Sequence, residues 1–137
     1  MPDEAANRSP GPHGAWYSYA VIRVVPRVER GEFLNAGVIL FARTLNFLEA
    51  RIHLDEARLR ALAPHTDVAL IKSHLATFQA VAHGDDAGGP VASLEQSQRF
   101  HWLTSPRSTV IQTSPVHVGC GDDPSAELDE LMRTFVL

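Results

Sequence analysis

Three extended apolar segments crowded into the stretch Trp16 to Ile52 constrain this chain more than anything else in it. Tyr17 to Val25 is rich in aromatic and β-branched side chains, which suit a pleated surface, and Pro26 removes the next ladder donor. A strand with a hard stop is predicted there. After the polar turn Arg27 to Glu32, Phe33 to Ala42 is apolar at successive positions, as in a strand covered on both faces. Phe47 to Leu54 alternates instead, with Leu48, Ala50, Ile52 and Leu54 on one face and Glu49, Arg51 and His53 on the other, so this strand has one wet face. A parallel crossover needs about a dozen residues or more. The turns here are shorter, which favours antiparallel neighbours.

Helical periodicity takes over beyond the strands. Asp55 is placed to cap a short helix, Glu56 to Leu62, which Pro64 ends. Thr66 or Asp67 starts a longer helix to about His83, with Val68, Ile71, Leu75, Phe78 and Ala82 in one stripe and Gly84 just past its end. Ser93 followed by Gln96 reads as a capping box for a helix over Leu94 to about Leu103. Ser108 to Gln112 reads as a late strand ended by Pro115, with Val116 to Val118 as a continuation or edge piece. Asp123 and Pro124 open a terminal helix carrying Leu128, Leu131, Met132 and Phe135 on one face. The predicted class is α+β: a small, mainly antiparallel sheet of three early strands plus one late strand, covered by helices, with a C-terminal helix. Residues 1–14, rich in Pro and Gly with almost nothing to bury, are expected to be a disordered tail that includes His13, leaving 15–137 as one domain.

Composition narrows the partners. A net charge of −4 with a single lysine, Lys72, argues against wrapping nucleic acid by bulk electrostatics. Cys120 is the only cysteine, so an intrachain disulfide is excluded and a reducing cytoplasm is the expected compartment. No signal-peptide pattern opens the chain, and no apolar run nears the ~20 residues that span a bilayer. A membrane is not an expected partner.

The richest polar cluster runs from Thr104 to Asp123. Arg107 with the hydroxyls of Ser105, Ser108 and Thr109 offers a planar fork and several donors, suited to phosphate or carboxylate, although the same residues also serve as ordinary loop material. His117 and Cys120 would make a thiolate pair only if the imidazole reached the sulfur, and an incidental small cysteine is the commoner case. A metal would need His117 with Asp122 and Asp123, but Asp123 is already placed as a helix cap, so no metal is expected. No phosphate loop, nucleophile elbow, zinc-peptidase helix or dinucleotide fingerprint occurs, and no cofactor is expected. Arg23, mid-strand between Val21 and Val25, must snorkel, pair or meet a ligand, with Glu32 the nearest candidate for a salt bridge. Asn35 and Gly37 interrupt the second strand, which predicts a bulge or a close backbone approach.

Two blocks carry a family resemblance. Tyr17-Ser18-Tyr19-Ala20-Val21-Ile22-Arg23-Val24-Val25-Pro26, followed by Arg30-Gly31-Glu32-Phe33-Leu34-Asn35-Ala36-Gly37-Val38-Ile39-Leu40, resembles the first signature of the bacterial domain-of-unknown-function 3037 family. Phe100 to His117, with Asp122-Asp123-Pro124 after it, is similar to the second. The resemblance covers about residues 16 to 137 and brings no assigned reaction. It implies, by association only, that the chain is a partner, regulator or substrate of a HipA-like serine/threonine kinase, in a toxin–antitoxin-like arrangement. The residues matching both blocks, Arg23, Glu32, Asn35, Arg107, Ser108, Thr109, Gln112 and His117, are expected to line one shared surface.

The leading expectation is therefore a binding or accessory domain without turnover, meeting an anion or a protein through Arg23, Glu32, Asn35, Arg107, Ser108, Thr109 and Gln112. A rival is an enzyme on a phosphate-containing substrate, with His117 as acid or base and Arg107 stabilising charge, which requires both in one concave pocket. A third is single-stranded nucleic-acid binding, which needs Tyr17, Tyr19 and Trp102 exposed on one face.

Overall fold

The computed structural model describes residues 14–137, so the expected tail, up to residue 13 and including His13, lies outside the described residues. The three early strands form as β1 (Ala15–Val24), β2 (Leu34–Ala42) and β3 (Phe47–Ile52), in antiparallel hairpin succession. Gly31 and Asn46 occupy left-handed positions in the two connections, at φ 69° and 51°, which reverses the chain without lengthening it. β1 is central: β2 takes one side of it, and two late strands share the other, giving an antiparallel sheet of five strands among the described residues.

The helices are α1 (Glu56–Leu62), α2 (Val68–His83), α3 (Gln96–Thr104) and α4 (Pro124–Phe135). Asp55 caps α1 at Arg58 N–H, Asp67 caps α2 at Leu70 N–H, and Gly84 closes α2 in the left-handed conformation. The cap of α3 differs from expectation. Glu95 and Gln98 form the reciprocal box, while Ser93 Oγ donates to Pro90 O (2.7 Å) and closes the preceding turn, so α3 starts later than its sequence suggests.

The predicted late strand also moves. Ser108 to Val110 stay in a loop, because Thr109 Oγ1 donates to Ile111 O (2.9 Å) and Gln112 Nε2 to Thr109 O (2.9 Å), local bonds that compete with a ladder. Pairing begins at β4 (Ile111–Thr113) and resumes at β5 (His117–Gly121), longer than the edge piece expected at Val116 to Val118. Both pair with β1, and the register slips by one residue between them, so Ser114-Pro115-Val116 stand opposite Ala20-Val21.

Strand alternation then sorts side chains to two faces. On one, Ala20, Ile22 and Val24 of β1 join Ile39, Leu48 and Ala50 under α2 and α3, where Leu75, Phe78, Val81 and Leu103 are buried. On the other, Tyr17, Val38, Leu40 and Ala42 receive Leu128, Met132 and Val136 from α4 and the residues after it. Asp123 caps α4 through Ser125 and Ala126 N–H, and Arg51 on β3 ties it down, pairing with Asp129 and donating to Ser125 Oγ (2.7 Å). No helix among the described residues is long and apolar enough to cross a membrane.

Tyr17 links this second face to pH. Its hydroxyl donates to Glu127 Oε1 (2.9 Å), and burial first, then the adjacent carboxylate, holds the phenol above its ordinary value of 10.0. In the unfolded chain the phenol ionises at the ordinary value, so above that pH the unfolded state releases a proton that the folded state keeps. The stability present below pH 10 is therefore lost as pH rises beyond it. Urea midpoints measured from pH 8 to pH 11 should fall, and fall less steeply in Tyr17→Phe; parallel slopes would rule the linkage out.

Candidate functional site

The polar residues picked out in the sequence fall into groups on different parts of the molecule. Arg23 stands opposite Asn35 on β2 and Gln112 on β4, so the three form a row across the sheet on the face that carries α4. The expected salt bridge from Arg23 to Glu32 does not form. Arg23 lies instead over the Phe33 ring, with Cζ 4.1 Å from the centroid, while Glu32 pairs with Arg30 (2.6 Å), which holds the Glu32 carboxyl below the usual carboxylate range. Asn35 Nδ2 donates to Phe135 O at the end of α4 (3.1 Å), and its Oδ1, like Arg23 Nε, is buried without a hydrogen-bond partner. Glu32 sits elsewhere, in a polar hollow between the Pro26 to Glu32 turn and the end of α1, with Arg27, Arg30 and His65.

Arg107, Ser108 and Thr109 line a different space, a cavity of about 490 Å³ on the α2 side of the sheet. Its deep wall is the core itself: Phe78 and Val81 of α2 and Ile111 at the start of β4. His74 and Thr77, one turn earlier on α2, line the same space as the Arg107 loop. Val28 and Trp102, 37% and 42% exposed, stand beside them.

Two contacts hold Arg107 in place. Its Nη2 donates to Trp102 O at the end of α3, and its Cζ lies 4.8 Å from the centroid of the Trp102 ring. Burial pulls the guanidinium down from its ordinary value, a sign that water is partly excluded around the charge. A fixed, partly desolvated guanidinium beside the Ser108 hydroxyl attracts anions more strongly than a mobile surface arginine does, while the Thr109 hydroxyl proton is already donated to Ile111 O.

The expected single surface is thus divided by the sheet. Arg23, Asn35 and Gln112 lie on the α4 face, and Arg107, Ser108 and Thr109 open on the α2 face. His117 belongs with the first group. Its ring meets Tyr19 at 5.5 Å, itself 6.2 Å from Phe135, so His117 and Arg107 do not share the cavity that acid–base catalysis by the pair requires. Cys120 follows His117 by three residues along β5, an odd separation that turns it to the opposite face, where Sγ meets Gly14 O at 3.2 Å. The thiolate pair has no geometry. Nor do the aromatic rings form one platform: Tyr17 is buried under α4, whereas Trp102 is exposed at the cavity on the other side. Among the described residues no three of His, Cys, Asp and Glu are grouped to hold a metal ion.

His74 and Thr77 are the additions that the sequence did not supply. At exposed positions of an amphipathic helix they look like solvated residues, and only the return of the Arg107 loop over α2 makes them part of a cavity.

A family model described as a protein of unknown function (DUF3037) matches residues 19–136. No curated protein and no solved structure matches the chain.

Proposed function

We propose that this chain, which belongs to the DUF3037 family, is a binding domain that holds an anionic group in the cavity between α2 and the Arg107 loop. The observation that supports this reading is the fixed Arg107 guanidinium, stacked on Trp102 and set beside Ser108 and Thr109 at the opening of an apolar-walled space. A cavity of this size with few polar groups converging at its rim has the general form of a small-ligand site. The site offers a fixed charge and donors, and the proposed activity is binding without turnover. As an accessory domain it would pair with a protein, and a HipA-like kinase is the partner to test on the family resemblance.

The anion is tested by following amide shifts of the chain during titration with inorganic phosphate and with sulfate. Arg107→Ala is expected to weaken binding at least tenfold, about 1.4 kcal/mol, and Arg107→Lys to restore only part of it, because an ammonium keeps the charge and loses the fork. Equal affinities for wild type and Arg107→Ala would sink the proposal.

A further inference from the structure

Resting on the anion-binding reading of the same cavity, we infer that its ligand is a small amphiphile: one phosphate or carboxylate head on an apolar body, roughly sixteen heavy atoms in all at about 30 Å³ each in 490 Å³. The polar lining residues come from two elements. Arg107, Ser108 and Thr109 come from a single loop and His74 and Thr77 from α2, whereas Phe78, Val81 and Ile111 present the hydrophobic core to the interior of the space. A free inorganic anion would be met at the rim by the guanidinium and would make no use of the apolar lining.

The apolar surface also continues outward. Val28 and Trp102 are large apolar side chains left 37% and 42% exposed at this one cavity, so a ligand body lying between them would cover surface that the fold leaves wet. Val28 comes from the turn after β1 and Trp102 from α3, two elements far apart in the chain that converge here. A nucleoside polyphosphate fits this space badly, because its several charges would need more than the one guanidinium among the lining residues. An alkyl or aryl chain with one head matches one charged end and one dry wall.

Isothermal titration of the full chain with inorganic phosphate, n-butyl phosphate and n-octyl phosphate tests the inference. Each added methylene should tighten binding roughly two- to fourfold, so octyl phosphate should bind at least tenfold tighter than butyl phosphate. A parallel alkyl carboxylate series distinguishes the two head groups. Thr77→Trp, at an exposed helical position on the rim, should remove the octyl gain while its thermal midpoint stays close to wild type. Equal affinity for inorganic and octyl phosphate overturns the amphiphile and leaves anion binding standing. An octyl gain that survives in both Thr77→Trp and Arg107→Ala also overturns it, since the chain is then held elsewhere. Binding of none of the phosphates, inorganic phosphate included, removes both readings together.

Discussion

Replacing Gly37 with alanine is expected to destabilise the protein by roughly 1–3 kcal/mol, the range for inserting a methyl where a packed interior has no room. The reason is space rather than backbone torsion. A Cβ at Gly37 would lie 2.4 Å from the carbonyl oxygen of Arg51 and about as close as contact allows to Ile22 and Ile52, at 3.1 and 3.0 Å. Both isoleucines are its cross-strand neighbours, so the position is filled from either side of β2. The Arg51 carbonyl belongs to the backbone of β3 and cannot swing away as a side-chain tip would. Relief therefore requires β3 to shift against β2. Arg51 also anchors α4 through Ser125 and Asp129, so the strain reaches the second hydrophobic face. Urea denaturation of Gly37→Ala against wild type measures the loss, and faster amide exchange in β3 and α4 than in α2 would locate it. A midpoint unchanged within error would show that the approach of the strands is looser than the distances indicate.

The interruption at Asn35 and Gly37 was legible before any coordinates, because an apolar strand has little use for either residue unless the ladder changes there. The pairing does change: Ile22 faces Gly37 while Arg23 faces Asn35, and Ala36 is the extra residue. The early strands and the capped helices were readable for the same reason, since each is written in a local period or a local cap. The division of the site was not. Alternation alone sets Arg23 opposite Ile22 and Val24, hence away from the α2 face, but Arg107 lies in a loop, where no period tells which face its side chain reaches. Two signature blocks matching one family therefore suggested one surface, and the sheet between them makes two. The late strand was blurred by its own composition. Pro115 cannot donate to a ladder, and Gly119 and Gly121 have no side chain to mark a face, although Gly119 is required there because a Cβ would meet the Tyr17 ring at 2.4 Å.

Ser114→Ala should cost a further roughly 1–3 kcal/mol, the usual penalty for leaving a buried polar group unpaired. Between β4 and β5 the late strand carries one residue more than β1 opposite it, and Pro115 brings no N–H to the gap. Ser114 bridges that gap. Its N–H donates to Val21 O (2.8 Å), its Oγ accepts from Val21 N–H (2.8 Å), and its hydroxyl donates on to Pro115 O (2.9 Å). Ser114 is 5% exposed, the one buried polar residue among those described, and Val21 is 6% exposed on the central strand, so water cannot readily replace the hydroxyl. Alanine keeps the shape and the backbone bond but orphans the Val21 N–H. Threonine keeps the hydroxyl and should recover most of the stability if its extra methyl is accommodated. The distinguishing measurement is amide exchange at Val21, which should quicken in Ser114→Ala well beyond the global loss and stay near wild type in Ser114→Thr. If Val21 exchanges no faster than Ile22 in the alanine variant, the hydroxyl is not what joins the two late strands to β1, and the slipped register must be held by side-chain packing instead.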